Sequence, residues 1–193
     1  CQILKEMGYM SEAFATLPVA VQEDIAAKML GIPEDVQQFN CLTTPQWLAG
    51  AANELELTQM LKQLEDYGIG TKNQELQTFK KQISMEYIGT YLWKNQTFSD
   101  YEIFTQGYEA AILTGVIQQA EYSEIHKLLH TYYERFGISP KEIGDYEQLS
   151  ETRKIQICKK IEIAAFASAE EVGMTFRTAY QNAIVPQGGS GGG

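Results

Sequence analysis

The two histidines of the chain, His126 and His130, lie four residues apart, and Glu134 follows at the same interval. On a helix this spacing places all three side chains on one face. Two imidazoles and a carboxylate are a ligand set that zinc binds. The general-base glutamate of the His-Glu-x-x-His pattern is absent, because Lys127 occupies its position. Two interpretations follow: a metal-dependent enzyme or sensor, or histidines hydrogen-bonded beside an apolar helix face.

Cysteine is the other candidate for chemistry. Cys41 and Cys158 are possible nucleophiles, with either histidine as the base. However, Cys158 falls on the apolar face of a predicted helix, where a small buried side chain is its ordinary role. Cys41 has no cationic residue nearby in the sequence to activate its thiol. We therefore predict neither a catalytic residue nor a cofactor.

Composition excludes several classes of partner. The chain has 193 residues and a formal net charge of −10. Lys and Arg form no dense cluster that would overcome the repulsion of a phosphate backbone, so we expect no nucleic-acid partner. Hydrophobic residues make up 44% of the chain, but no apolar run approaches the length that a bilayer requires. We therefore expect a soluble protein without a membrane partner.

Cysteine usage and the last residues bear on the origin of the chain. Three widely separated cysteines without a Cys-x-x-Cys pair suit a reducing compartment, so we expect a protein that is cytoplasmic or delivered into a cytoplasm. Residues 187–193 have the Gly/Ser composition of an engineered flexible linker. With Cys1 at the other end, they fit either a fusion remnant or joined ends. We expect residues 1–186 to form a single helical domain.

The helices that would position these side chains are predicted to end at glycine residues. Gly31, Gly68 and Gly137 each follow a helix-like run and precede an isoleucine. Glycine adopts the left-handed conformation without steric cost, so each glycine predicts a helix end of the Schellman type. Their spacing also permits a repeat of helical hairpins, although the Trp-x-x-Leu-Gly-x-x-Tyr signature of such repeats is absent.

Helix starts are also visible in the sequence. Residues 71–74, 99–102 and 139–142 match the capping-box pattern, which predicts a helix after each. Thr44 followed by a proline predicts an N-cap, with a long helix that continues to Gly68. Residues 150–167 have an ambiguous period, and their composition favours a helix over a strand. The fold predicted is therefore all-α, an irregular bundle of about seven to nine helices.

Aromatic residues are numerous enough to provide an interface. We selected Trp93, Tyr101 and Tyr133 as candidate interface residues, because large aromatic side chains anchor protein contacts. The predicted function is a non-catalytic module that binds a protein or peptide through a helix face or groove, as an accessory, inhibitory or regulatory factor. The alternatives are the metal-dependent protein described above and a bundle that encloses a small apolar ligand.

Overall fold

The computed structural model describes residues 6–30, 32 and 35–184. Helices account for 73% of it, and the described residues contain no strand, so the predicted all-α class is confirmed. The predicted count of seven to nine is wrong, because the described residues form eleven α-helices and one short 3-10 helix. There are more helices than predicted for two reasons. Some of them are short, and side-chain caps start new helices within segments that the sequence pattern predicts as one helix.

By their packing the residues divide into two compact units, Cys1–Ile112 and Leu113–Gly193, called the N-terminal and C-terminal units below. The single domain predicted for residues 1–186 stays a prediction. The glycine stop predicted at residue 31, Cys1 and the linker predicted at 187–193 lie outside the described residues.

Seven helices begin in the N-terminal unit, and the last of them crosses the boundary between the units. They are α1 (Ser11–Ala15), α2 (Val19–Met29), α3 (Val36–Leu48), α4 (Glu54–Asp66), α5 (Gln74–Lys80), α6 (Met85–Asn95) and α7 (Tyr101–Ile117). Helices α4 and α6 pack closely together and bury leucine and isoleucine side chains between them.

The C-terminal unit has a smaller set of helices. They are α8 (Tyr122–Tyr132), the 3-10 helix (Tyr133–Phe136), α9 (Pro140–Glu147), α10 (Glu151–Glu162) and α11 (Ala169–Ile184). Helix α10 packs against both α8 and α11. It also resolves the ambiguous segment 150–167: Ile157 and Ile161, one helical turn apart, are buried, whereas Ile163 is exposed. The apparent strand-like alternation is therefore a helical core face with additional isoleucines outside it.

Two of the predicted glycine stops have the expected geometry. Gly68 and Gly137 both have φ of +66°. The amide of Ile69 donates to the carbonyl of Leu64 at 3.1 Å, and that of Ile138 donates to Tyr133 at 2.9 Å. These are the long hydrogen bonds of the Schellman motif, so both predictions are confirmed.

The helix starts follow the prediction at one of the three capping boxes. Ser139 and Glu142 form a reciprocal box at the start of α9. Helix α5 is instead capped by Asn73, because the hydroxyl oxygen of Thr71 accepts from the amide of Asn73 at 3.1 Å and not from an amide within the helix. At α7 the side chain of Asp100 accepts from the backbone amide of Ile103 at 2.8 Å, one residue later than predicted.

The long helix predicted from Thr44 to Gly68 is wrong. Helix α3 starts at Val36 and includes Pro45 in its interior, while Asn53 caps a new helix by accepting from the amide of Glu56. Thr44 is buried in α3 and donates back to the carbonyl of Asn40 at 2.7 Å. A carbonyl inside the same helix thus satisfies the hydroxyl that sequence reasoning assigned to a cap.

Glu142 provides a pH-dependent contribution to stability. Hydrogen bonds from the Ser139 backbone, the Ser139 side chain and Arg177 lower the pKa of Glu142 to about 2, from an ordinary value of 4.5. Because the pKa is depressed in the folded state, the carboxylate stabilises the fold above about pH 4.5, and this contribution is lost as the pH falls towards 2. About a third of the side chain is exposed, so water screens part of the effect.

We expect Glu142→Gln to destabilise the protein by about 1 kcal/mol at pH 7, since glutamine keeps the capping hydrogen bond but loses the charge. The difference from the unchanged protein should shrink as the pH falls from 4.5 to 2. Urea unfolding followed by circular dichroism at several pH values measures this. A difference that stays constant over that range would contradict the assignment.

Two helical glycines lie where another part of the chain approaches the backbone. A Cβ atom on Gly89 of α6 would lie 2.0 Å from the Thr58 hydroxyl of α4. A Cβ atom on Gly173 of α11 would lie 2.0 Å from the carbonyl oxygen of Phe136. Both distances are far shorter than a van der Waals contact, so helix packing at these two points depends on the absence of a side chain.

One buried side chain holds the first described turn. The amide of Met10 donates to Oδ1 of Asn40 at 3.0 Å, and Nδ2 of Asn40 donates to the carbonyl of Gly8 at 2.9 Å. Asn40 is only 6% exposed. The amide of Asn40 therefore attaches the segment before α1 to α3, together with the Thr44 hydroxyl, which lies 3.3 Å from Sδ of Met10, and the ring contact between Tyr9 and Phe39.

Within the described ranges, no helix combines the length and the apolar character that a bilayer span requires.

Candidate functional site

The two histidines lie on α8 and contact adjacent residues of α9. Nδ1 of His126 is 2.8 Å from the hydroxyl of Tyr146, and Nδ1 of His130 is 3.1 Å from Oε1 of Glu147. His126 is partly buried, whereas His130 is exposed. Although both imidazoles come from one helix face, they are used for different contacts.

A chain of hydrogen bonds continues from His126 into the core. The hydroxyl of Tyr146 also lies 3.3 Å from Sγ of Cys158, and both residues are buried, at 0% and 1% exposure. Burial raises the pKa of Cys158, and the opposing effect of the Tyr146 hydroxyl is smaller. Burial also raises the pKa of Tyr146. The thiol therefore stays protonated at neutral pH, and the geometry is a His–Tyr–Cys hydrogen-bond chain without a direct nucleophile–base pair.

A shallow cleft of about 190 Å³ lies beside this chain. Its lining residues are Tyr122, Ser123, His126, Glu151, Lys154, Ile155 and Cys158. Lys154 bridges Glu147 and Glu151, with N–O distances of 3.3 and 3.4 Å. The cleft is smaller than the usual range of about 300–1,000 Å³ for small-molecule sites. The apolar-ligand alternative stays a prediction.

The residues proposed for a metal site have other contacts. Oε1 of Glu134 accepts from the hydroxyl of Tyr133 at 3.3 Å, and each histidine uses Nδ1 as described above. In the part of the chain that the structure describes, no three His, Cys, Asp or Glu side chains are grouped closely enough to hold a metal ion. The metal hypothesis for His126, His130 and Glu134 stays a prediction, without support from a ligand cluster.

The second cysteine contacts one of the aromatic candidates. Cys41 is a partly buried free thiol whose pKa is raised by burial, against a smaller lowering by a hydrogen bond with Tyr101. Burial raises the pKa of Tyr101 to about 12. Its ring also contacts Phe104, with centroids 6.2 Å apart. Tyr101 is therefore partly used inside the N-terminal unit.

The other two aromatic candidates also have intramolecular contacts. Trp93 stacks on Phe98, with ring centroids 6.5 Å apart and planes inclined by 16°. Tyr133 donates to Glu134, as described above. Both are half-buried. All three candidates thus reach the surface, but none is free of contacts within its unit.

A groove in the N-terminal unit surrounds Trp47, which sequence reasoning did not select. We call it the Trp47 groove, and its volume is about 430 Å³. Its lining residues are Thr16, Leu17, Pro18, Gln46, Trp47, Gly50, Glu56, Gln59, Met60 and Gln63. It is formed where the end of α3, the start of α2 and the exposed side of α4 meet.

Three properties distinguish this groove. Leu17 and Met60, both under 9% exposed, provide an apolar floor. Trp47 is half-buried, and its indole makes no hydrogen bond or ring contact with the described residues, although its backbone carbonyl accepts from the amide of Gly50 at 3.0 Å. The rim consists mainly of glutamine amides, and its carboxylate, that of Glu56, already accepts from the backbone amide of Ala52 at 2.8 Å. The groove thus combines an available indole with polar edges on which Glu56 is the single charged side chain among the described lining residues.

Sequence reasoning missed Trp47 because it placed the residue in the first turn of one long helix that starts after Thr44, whereas Trp47 lies in the last turn of α3. The signal available in the sequence was Gln46 before it and the small residues Ala49 and Gly50 shortly after it. Helix α3 ends at Leu48, which leaves the indole beside a loop.

No protein-family model, no curated protein and no solved structure matches this chain. Function is therefore inferred from the chemistry of its surfaces alone.

Proposed function

We propose that the protein is a non-catalytic binding module that takes an uncharged, extended segment of a partner protein into the Trp47 groove. The observation that carries this proposal is the indole of Trp47, which lies above the apolar floor of the groove and has no hydrogen-bond or ring partner in the described part of the chain. Tryptophan is enriched at the centres of protein interfaces, because it desolvates a large area with few torsions to restrict. A half-buried indole that has no hydrogen-bond or ring partner among the described residues is suited to this use.

The rim favours an extended partner backbone. The side chains of Gln46, Gln59 and Gln63 can each donate and accept hydrogen bonds. A helix satisfies its own backbone groups, whereas an extended segment presents free N–H and C=O groups to such amides. A proline-containing segment would also lose little conformational entropy on binding, since it is already extended in solution.

Charge supports the same choice. The carboxylate of Glu56 accepts from the Ala52 amide, and the described residues that line the groove include no cation. An acidic segment would find no partner there, and the net charge of −10 would repel it. Uncharged side chains around an apolar or proline residue fit best.

The test is a selection of random peptides on the full chain, followed by affinity measurements with fluorescein-labelled peptides. Truncation of a central tryptophan costs about 2 kcal/mol or more, so Trp47→Ala should weaken binding by about thirtyfold. Trp93→Phe is the matched control, because phenylalanine can retain the stacking on Phe98; binding should be unchanged. Gln59→Ala and Gln63→Ala should weaken binding by a few-fold, and Gln156→Ala on α10 should have no effect.

A second readout distinguishes lost binding from lost folding. In the Trp93→Phe background, Trp47 is the sole tryptophan, and its emission should shift to shorter wavelength when the peptide covers it. Selected peptides that bind Trp47→Ala as tightly as the unchanged chain, or a selection that yields no binder, would overturn the proposal.

A further inference from the structure

Positive charge is distributed unevenly in this acidic chain. In residues 1–112 acidic side chains outnumber Lys and Arg by about two to one, whereas in residues 113–193 the two signs nearly balance. Much of the compensating charge lies on α10, which contains Arg153, Lys154, Lys159 and Lys160. This helix is therefore the most cationic element described in the chain.

The four cations of α10 are not equivalent. Lys154 is paired with Glu147 and Glu151, and the ammonium of Lys159 lies 5.5 Å from the centre of the Tyr122 ring. Arg153 and Lys160 are exposed and pair with no acidic side chain among the described residues. They are seven residues apart, so they share one face of α10 at a separation of about 10 Å along its axis.

A groove of about 330 Å³ lies between α10 and α11, next to Lys160. On α11 its lining is uncharged and includes Met174, Thr178 and Asn182 at intervals of one turn. Met174 is 56% exposed, and Ile163, one turn beyond Lys160, is 76% exposed. Exposed methionine is common at protein-binding surfaces, because its flexible side chain adapts to the partner. We call Arg153, Lys160, Ile163 and this groove the cationic face.

We propose that the cationic face binds an acidic amphipathic helix of a partner protein. Two carboxylates of that helix, seven residues apart on one face, pair with Arg153 and Lys160. An apolar side chain between them contacts Met174 in the groove. Charge complementarity supports this occupant, since two unpaired cations on a protein of net charge −10 favour a localised pair of carboxylates over an extended polyanion.

The probe is a fluorescein-labelled helical peptide with glutamates seven residues apart and leucines between them on the same face, and anisotropy with the full chain reports binding. The double variant Arg153→Glu/Lys160→Glu should weaken binding at least tenfold. The matched control is Lys127→Glu/Lys141→Glu, which makes the same change in net charge at exposed lysines of α8 and α9 and should leave binding unchanged. Thermal unfolding by circular dichroism verifies that both variants fold.

Further measurements test whether binding depends on charge. Replacing both peptide glutamates by lysine should abolish binding, and raising the salt concentration from 50 to 300 mM should weaken it. Trp47→Ala should bind the acidic peptide normally, which separates this surface from the Trp47 groove. Equal binding by the two charge-reversed variants, no binding of the acidic peptide, or sedimentation with phosphatidylserine vesicles that requires Arg153 and Lys160 would each overturn the proposal.

Discussion

Gly173→Ala is expected to destabilise the C-terminal unit by about 2–4 kcal/mol, although it adds only one methyl group. The new Cβ atom would lie 2.0 Å from the carbonyl oxygen of Phe136 and 3.2 Å from its carbonyl carbon. Because the obstacle is backbone, no change of rotamer relieves it. Helix α11 would have to move away from the 3-10 helix, which also disturbs the buried side chains of Phe136 and Phe176. Urea unfolding followed by circular dichroism measures the loss.

Gly144→Ala is the matched control for this substitution. Gly144 is exposed within α9, and a Cβ atom added there meets no atom within 4 Å. Alanine has the higher helix propensity, so the control should be stabilised by up to about 1 kcal/mol. If Gly173→Ala were as stable as the unchanged protein, the close approach of α11 to Phe136 would be wrong.

Gly89→Ala is expected to cost about 1–3 kcal/mol in the N-terminal unit, with an obstacle of a different kind. The added Cβ atom would meet the hydroxyl of Thr58 at 2.0 Å and its Cβ at 3.1 Å. Thr58 is buried in α4, where a β-branched side chain has few rotamers, so it cannot readily turn away. The clash is thus with a side chain that can itself be removed.

The double variant Gly89→Ala/Thr58→Ala should therefore recover part of the loss. Thr58→Ala alone removes a hydrogen bond from Thr58 to the carbonyl of Glu54, and we expect it to cost less than about 1 kcal/mol. Together the two changes should be less destabilising than their separate effects predict, by at least about 1 kcal/mol. Strict additivity in urea unfolding would show that α4 and α6 do not meet at this point.

Local chemistry explains which parts of the fold the sequence predicts. The stops at Gly68 and Gly137 depend on one residue's conformational freedom and on hydrogen bonds within six residues, so a sequence pattern contains all the required information. The same holds for the capping box of Ser139 and Glu142. At Thr71 the hydroxyl oxygen accepts from the amide of Asn73, which becomes the cap, and the hydroxyl donates to Glu109, a distant partner that local sequence does not reveal.

The candidate sites were harder to predict for the same reason. His126 was selected for its spacing from His130, but its partner is Tyr146, twenty residues away, and the thiol of Cys158 is reached only through that hydroxyl. Nothing in the local sequence distinguishes the indole of Trp93 from that of Trp47. Whether an indole is stacked, as in Trp93, or available, as in Trp47, depends on the tertiary position of its neighbours.

The attachment of Met10 to Asn40 has a consequence for the order of assembly. The two residues are thirty positions apart, and the buried amide satisfies the backbone on both sides of the turn at Gly8. Bringing residues so far apart in sequence together lowers the conformational entropy of the chain before the stabilising contact forms. The segment from Gly8 to Met10 is therefore expected to dock late, after α3 has formed.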